Sequence, residues 1–293
     1  MVSTWAPGHA TLFFSTPEKR TVPKEMGSIG GGLNFEAGIT TEINLNGNNK
    51  VYWNGNQIDG KVTLIAIQEF ERQTGINCDR IDVLHTSKLP IGYGISTSGA
   101  GAIGTALGLN ELFNANLSRL EVFEIAHYAD VVNHTGLGSV VGQMVGGIEL
   151  RLTQGGPTVC KTKKYNASDE LVLVFYGPLS TVDVLTSEEQ MRLVTNAGLE
   201  TLKALRHQEN ISLIDMIHSG YNFTTKCGLE TPRIKSKIKE LEDIGEDMVS
   251  MAMIGETLII KPNHIAKLTE KLQKDGDHFL ITKISNDQPK IIS

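Results

Sequence analysis

The sequence predicts an α+β protein organised as two domains, and three observations carry that reading. A strand, a glycine-rich loop and a helix follow one another between Ile81 and Phe113. A Gly155-Gly156-Pro157 break then interrupts the chain, and beyond Asn166 the pattern changes to a new run of strands and helices. Finally, 293 residues with 40% hydrophobic content are enough to bury two modest cores. The expected division is 1–160 and 161–293.

Each element has a local reason. From Lys61 to Thr74, Val62, Ile65, Ala66 and Phe70 recur at helical spacing, and Gly75 stands where a C-terminal cap belongs. Ile81 to Thr86 is short and rich in branched residues, which reads as a strand. Gly99 to Phe113 carries helix formers and an apolar stripe through Ile103, Ala106, Leu107 and Leu109. Ser118 with Glu121 is a capping box, and Val122, Ile125, Ala126, Ala129 and Val132 give the following helix one buried face to about Asn133. Gly136 to Gly147 is glycine-rich, and Ile148 to Thr153 alternates like a strand. The second domain should hold a buried strand at Leu171 to Tyr176, helices at Ser187 to Ala204 and Thr231 to Asp243, then strand, helix and strand. Arg233, Lys235 and Lys237 read as a solvated helix face, and Met251 and Met253 as core filling.

Composition narrows the function. A formal charge of -6 and a pI near 5.8 give no general attraction for nucleic acid or an anionic membrane, so a bound anion must be held locally. The N-terminus lacks the features of a signal peptide, and no uncharged apolar run approaches the roughly 18 residues needed to span a bilayer. Cys78, Cys160 and Cys227 form no CxxC pair, which fits reduced thiols in a cytoplasmic protein.

The chemistry concentrates in Pro90-Ile-Gly92-Tyr-Gly94-Ile95-Ser96-Thr97-Ser98-Gly99-Ala100, which leads directly into a helix. Glycines let a backbone approach an anion, helix N-terminal amides and the helix dipole attract it, and the hydroxyls can donate to phosphate oxygens or hold a cation. Composition alone also permits a plain loop capped by Ser98. The Walker loop GxxxxGK[ST] is absent. The dinucleotide fingerprint GxGxxG is present literally at Gly99, Gly101 and Gly104, but it follows a long loop rather than a strand, and its third glycine falls inside the helix.

Pro90 to Ala100 resembles the GHMP kinase signature P-x-x-x-G-L-S-S-S-A-A, with Ile95, Thr97 and Gly99 as the departures. Ala6-Pro7-Gly8-His9 is similar to the family's N-terminal motif, and Gly136 to Gly147 to its third motif, in the right order. The opening Pro-Gly-His, Ser28-Ile-Gly30-Gly31-Gly32, the Thr-Gly-Leu-Gly run at Thr135 to Gly138 and Ser250 to Gly255 most resemble the archaeal pantoate kinases.

The resemblance implies a two-domain GHMP kinase, with a ribosomal protein S5 domain 2-like N-terminal domain and a ferredoxin-like C-terminal domain, and a site in the cleft between them. It implies ATP and Mg2+, with pantoate or a similar small hydroxy acid as acceptor. It leaves homoserine, mevalonate, shikimate and a non-catalytic sensor as alternatives, and is compatible with a homodimer. Pro90 to Ala100 would bind the nucleotide, Ser98 and Asp130 the metal, and His9, Gly30, Gly31 and Gly138 the acceptor. His9 and His134 could donate to an anion. Where pantoate kinases usually read Gly-Leu-Gly-Asp, this chain has Ser139, which cannot serve as a base at neutral pH.

Overall fold

The computed structural model describes residues 1–45, 47–179 and 188–293. Two sheets organise them. The first is built on two long strands, β1 (Val2–Ser15) and β2 (Ile29–Leu45), paired antiparallel from Val2↔Ile43 to Ser15↔Ile29. Register shifts at Ala6/Gly8 let Pro7 sit within β1, where an uninterrupted ladder would require the N–H it lacks. Two short strands follow, β3 (Val51–Trp53) and β4 (Asn56–Ile58). No pattern in the sequence defined these first strands.

The remaining strands of this sheet are β5 (Ile81–Thr86), β6 (Ile148–Arg151), β7 (Thr162–Tyr165) and, at the chain's end, β12 (Lys290–Ile291). The order is β12-β1-β2-β5-β3-β4, and the first half of β2 pairs instead with β6, which carries β7. Only β3 with β5 is parallel, so the sheet is not doubly wound.

Helices α1 (Lys61–Thr74), α2 (Thr97–Leu112), α3 (Arg119–Val132) and α4 (Ser139–Val145) pack on this sheet or on one another. Three details follow the sequence closely. Gly75 closes α1 in the left-handed conformation, the Ser118–Glu121 capping box opens α3, and β5 has the expected bounds. By contrast α2 begins at Thr97, two residues before Gly99, and the glycine-rich stretch after Gly136 contains the short helix α4.

Most of α2 is buried, and its glycines explain how it lies so close to the sheet. A Cβ on Gly104 would press into the Thr41 side chain and stand 3.0 Å from Thr4 Oγ1, while Thr4 Oγ1 donates to the Gly104 carbonyl at 3.0 Å. The third glycine of the apparent dinucleotide fingerprint is therefore a helix–sheet contact.

The second sheet contains β8 (Glu170–Gly177), β9 (Val249–Met251), β10 (Glu256–Ile260) and β11 (His278–Lys283), in the order β11-β8-β10-β9. Numbered within this sheet the order is 4-1-3-2, that of a ferredoxin-like unit, and all its pairs are antiparallel. Its helices are α5 (Glu188–Leu205), α6 (Leu213–Cys227), α7 (Pro232–Asp243) and α8 (Ile265–Asp275). The expected helix start at Ser187 lies outside the described residues. Leu171 to Val174 and Leu258 to Ile260 are fully buried at the centre of this sheet.

The sheets meet along β1. Helices α5 and α6 pack against it, and Met253 N donates to Thr11 O at 2.8 Å. Met251 and Met253 are buried, as core filling requires.

Two expectations need correction. Gly30 and Gly31, expected to hold the acceptor, lie inside β2 with strand partners on both sides and do not line the cleft, so the ladders engage the backbone groups they would have offered. Lys237 is not part of a solvated face; it is buried and bonds Asp275 and Asp277 at 2.6 and 2.7 Å. The three cysteines are free and buried, and burial pushes the Cys78 thiol up to about 12.

A Gly104→Ala change separates close packing from helix propensity. Alanine favours a helix by about 1 kcal/mol over glycine, but here its methyl meets Thr41. The expected net result is destabilisation of about 1–3 kcal/mol, read as a lower melting temperature.

Candidate active site

A cleft of about 490 Å³ opens where the loop before α2 faces the segment between α3 and α4. The loop contributes Gly92, Gly94, Ile95, Ser96, Thr97 and Ser98, and His134 to Ser139 form the opposite wall. Thr11, Phe14, Thr16 and Ser28 come from β1 and the approach to β2, and Met253 and Ile254 from the turn after β9. The cleft thus draws on both sheets. Pro90, Gly99 and Ala100 do not line it: Gly99 packs toward α4, where an added Cβ would stand 2.8 Å from Gln143 Oε1.

Backbone geometry shapes the loop. Gly92, Gly94 and Ser96 all have positive φ, at 86°, 75° and 54°. Gly94 and Gly255 meet backbone to backbone, since a Cβ on Gly94 would stand 2.8 Å from Gly255 N, and Thr257 Oγ1 donates to Tyr93 O at 2.7 Å. The second sheet therefore fixes the loop's outer turn. Ser96, rather than Ser98, is the N-cap of α2, with no side-chain cap bond, and Gln143 Nε2 holds its carbonyl at 3.1 Å.

At the inner end, Asp130 is 1% exposed, not a surface helix carboxylate. Three hydroxyls donate to it: Ser98 at 3.0 Å and Thr135 at 2.5 Å to Oδ1, and Ser139 to Oδ2. Gly136 permits this approach, because any Cβ there would collide with Asp130 and Ser139. Ser98, Asp130 and Ser139, distant in sequence, are brought together. Gly138, the N-cap of α4, also lines the cleft.

His9 is where the expectation fails. It is fully buried in β1 and does not line the cleft, because both ring nitrogens are engaged behind the loop. Nδ1 lies 3.2 Å from Ser96 Oγ and Nε2 3.1 Å from Glu149 Oε1. A carboxylate only accepts, so Nε2 carries the proton and Ser96 donates its hydroxyl hydrogen to Nδ1. Burial, partly offset by Glu149, holds the His9 pKa below its ordinary value, in keeping with a neutral ring.

Glu149 Oε1 also accepts from Arg151 Nη1. Both charged residues are fully buried, and Arg151 Nε and Nη2 have no hydrogen-bond partner in the structure. These atoms sit behind the cleft wall: a Cβ on Gly138 would stand 2.7 Å from Arg151 Nε and 2.5 Å from Ser28 Oγ. Two unanswered donors of a buried cation are expensive unless something anionic completes them. The alternation of Glu149 and Arg151 in a strand carried this signal: opposite charges two residues apart share one face, and in β6 that face is buried.

Among the described residues no cluster of three or more His, Cys, Asp or Glu could hold a metal, and no helix is long and apolar enough to cross a membrane. A cation here would draw on one carboxylate and neighbouring hydroxyls, an oxygen set that suits magnesium completed by phosphates and water.

Residues 61–147 match the family of GHMP kinases N terminal domain. A pantoate kinase of Methanocaldococcus jannaschii is 30% identical over 260 residues, 87% of this chain and 90% of that protein. One from Thermococcus kodakarensis is 27% identical over 302 residues, 99% and 98% of the two chains. A solved structure described as a phosphotransferase related to the CoA biosynthesis pathway superposes with a TM-score of 0.84 at 25% identity, covering 99% of this chain and 98% of that one. The chain belongs to the GHMP kinase family. The two relatives named above are both pantoate kinases, in line with the motifs.

Gly94→Ala tests the loop. The strained φ and the lost approach to Gly255 should together cost about 1–3 kcal/mol, expected as roughly 5- to 150-fold weaker ATP binding in calorimetry, with the fold retained by circular dichroism.

Proposed function

We propose that this chain transfers the γ-phosphoryl group of ATP to the primary hydroxyl of pantoate, forming 4-phosphopantoate and ADP in the archaeal route to coenzyme A. The observation that carries it is the buried Arg151, whose free Nε and Nη2 do not line the cleft themselves but lie directly behind Gly138, a residue of the cleft wall opposite the loop before α2. An acceptor carboxylate near Ser28 and Gly138 would complete that guanidinium and present its hydroxyl toward the loop. The relatives named pantoate kinase support this choice over other hydroxy acids.

Phosphoryl transfer depends mainly on positioning and on stabilising charge. Amides at the start of α2, with Thr97 and Ser98, would cradle the phosphates. Ser96 is a poorer phosphate donor than its sequence position suggested, because its hydrogen is directed to His9. Mg2+, held by Ser98 and Asp130, would supply charge neutralisation to the phosphates. No Asp or Glu of the described residues lines the cleft, and Ser139 hydrogen-bonds Asp130 instead of providing a base. Proton removal then falls to phosphate or water, without the roughly 10²- to 10⁴-fold help that a positioned base contributes.

In this reading the enzyme works in the cytoplasm without nucleic acid as a partner, and a homodimer is compatible with it. We place the working division at 160/161, with β7 and β12 reaching back to the first sheet.

ADP release from magnesium ATP should depend on pantoate and be absent with homoserine, mevalonate, shikimate or no acceptor. ADP with another acceptor would change the substrate assignment. Silence with all of them, alongside intact nucleotide binding, would leave a binding protein. Asp130→Asn and Ser98→Ala should each lower turnover, the former by about 10²-fold or more; unchanged rates would remove the metal assignment.

A further inference from the structure

We propose that His9 is a positioning residue that couples the acceptor site to the nucleotide site, so that each substrate strengthens the binding of the other. The inference rests on the reading of Arg151 as the acceptor's anchor, but concerns what lies behind it. Ser96 Oγ, His9, Glu149 Oε1 and Arg151 form a continuous hydrogen-bonded chain, at 3.2 Å and 3.1 Å for its two histidine links. One end lies in the phosphate loop and the other at the acceptor wall. His9, Glu149 and Arg151 are fully buried, so the links among them are shielded from water, while the Ser96 end opens on the cleft.

The cluster is incomplete as it stands. Arg151 Nε and Nη2 and Glu149 Oε2 are buried without partners. Two glycines press the network into one arrangement: a Cβ on Gly32 would stand 2.6 Å from His9 Nε2, and one on Gly142 would collide with the same ring. The imidazole cannot swing away without disturbing β2 or α4.

An anion on Arg151 answers the free guanidinium donors and fixes the plane that holds Glu149. Glu149 then holds the His9 tautomer, and His9 holds Ser96 at φ 54° in the turn that delivers the loop into α2. Nucleotide binding orders the same turn from the other end. Coupling of this kind is reciprocal, and is typically about 5- to 150-fold where two sites share one element.

Calorimetry with a non-hydrolysable ATP analogue and magnesium, with and without saturating pantoate, tests the coupling. Wild-type protein should bind the analogue at least about fivefold more tightly with pantoate present. Ser96→Gly suits the left-handed backbone and removes the hydroxymethyl group that reaches His9; its analogue affinity should no longer respond to pantoate, while its affinity for pantoate alone stays within about twofold of wild type. A loss confined to stability would leave that ratio untouched. Pantoate that binds wild type without changing analogue affinity overturns the coupling and leaves the functional reading standing, as does a Ser96→Gly protein that keeps the wild-type ratio. No pantoate binding to wild type, with or without analogue, overturns both.

Discussion

A buried guanidinium with only part of its charge answered is the constraint on which the site depends. Removing one partner from a buried ion pair costs about 3–5 kcal/mol, so Arg151 commits its neighbours to precise positions. Glu149 must stand beside it on β6, His9 must reach Glu149 from β1, and β2 must pass between these strands with glycines that leave room. Gly30 and Gly32 meet this need: an added Cβ would stand 2.9 Å from Arg151 Nη2 at the first and 2.6 Å from His9 Nε2 at the second. The triple glycine thus serves the site through the space it leaves, not through exposed amides.

The same economy of side chains governs the cradle. Helix α2 can aim its N-terminus into the cleft because Gly104 and Gly108 let it lie directly on Thr4, Thr41 and Ile43. Its first turn is held from three directions: His9 under Ser96, Gln143 on the Ser96 carbonyl, and the Gly255 turn against Gly94. Asp130 completes the inner end with its ring of hydroxyls. Ser139 therefore belongs to the support of Asp130, which gives the missing aspartate a structural replacement even though it supplies no base.

Local signals were legible in the sequence wherever chemistry and conformation coincide within a few residues. The capping box at Ser118, the Gly75 cap and the strand at Ile81 to Thr86 are of this kind, as is the tight glycine-bearing turn that leads into α2. What failed depended on contacts between distant segments. Nothing within Ser28 to Gly32 distinguishes a turn from a strand whose glycines make room for His9 and Arg151. His9 was read as facing the substrate because its motif borders the site, and only the β1–β6 juxtaposition turns it inward. Lys237 was read as solvated because Asp275 and Asp277, its partners, lie far along the chain.

The central claim is that Arg151 anchors the acceptor's carboxylate. The most direct measurement is the steady-state kinetics of Arg151→Lys, which keeps the positive charge beside Glu149 but loses the planar fork that a carboxylate requires. The account predicts a rise of about tenfold or more in KM for pantoate, with the fold retained by circular dichroism. A pantoate KM equal to wild type, with the turnover of either enzyme intact, would place the acceptor elsewhere and contradict the account.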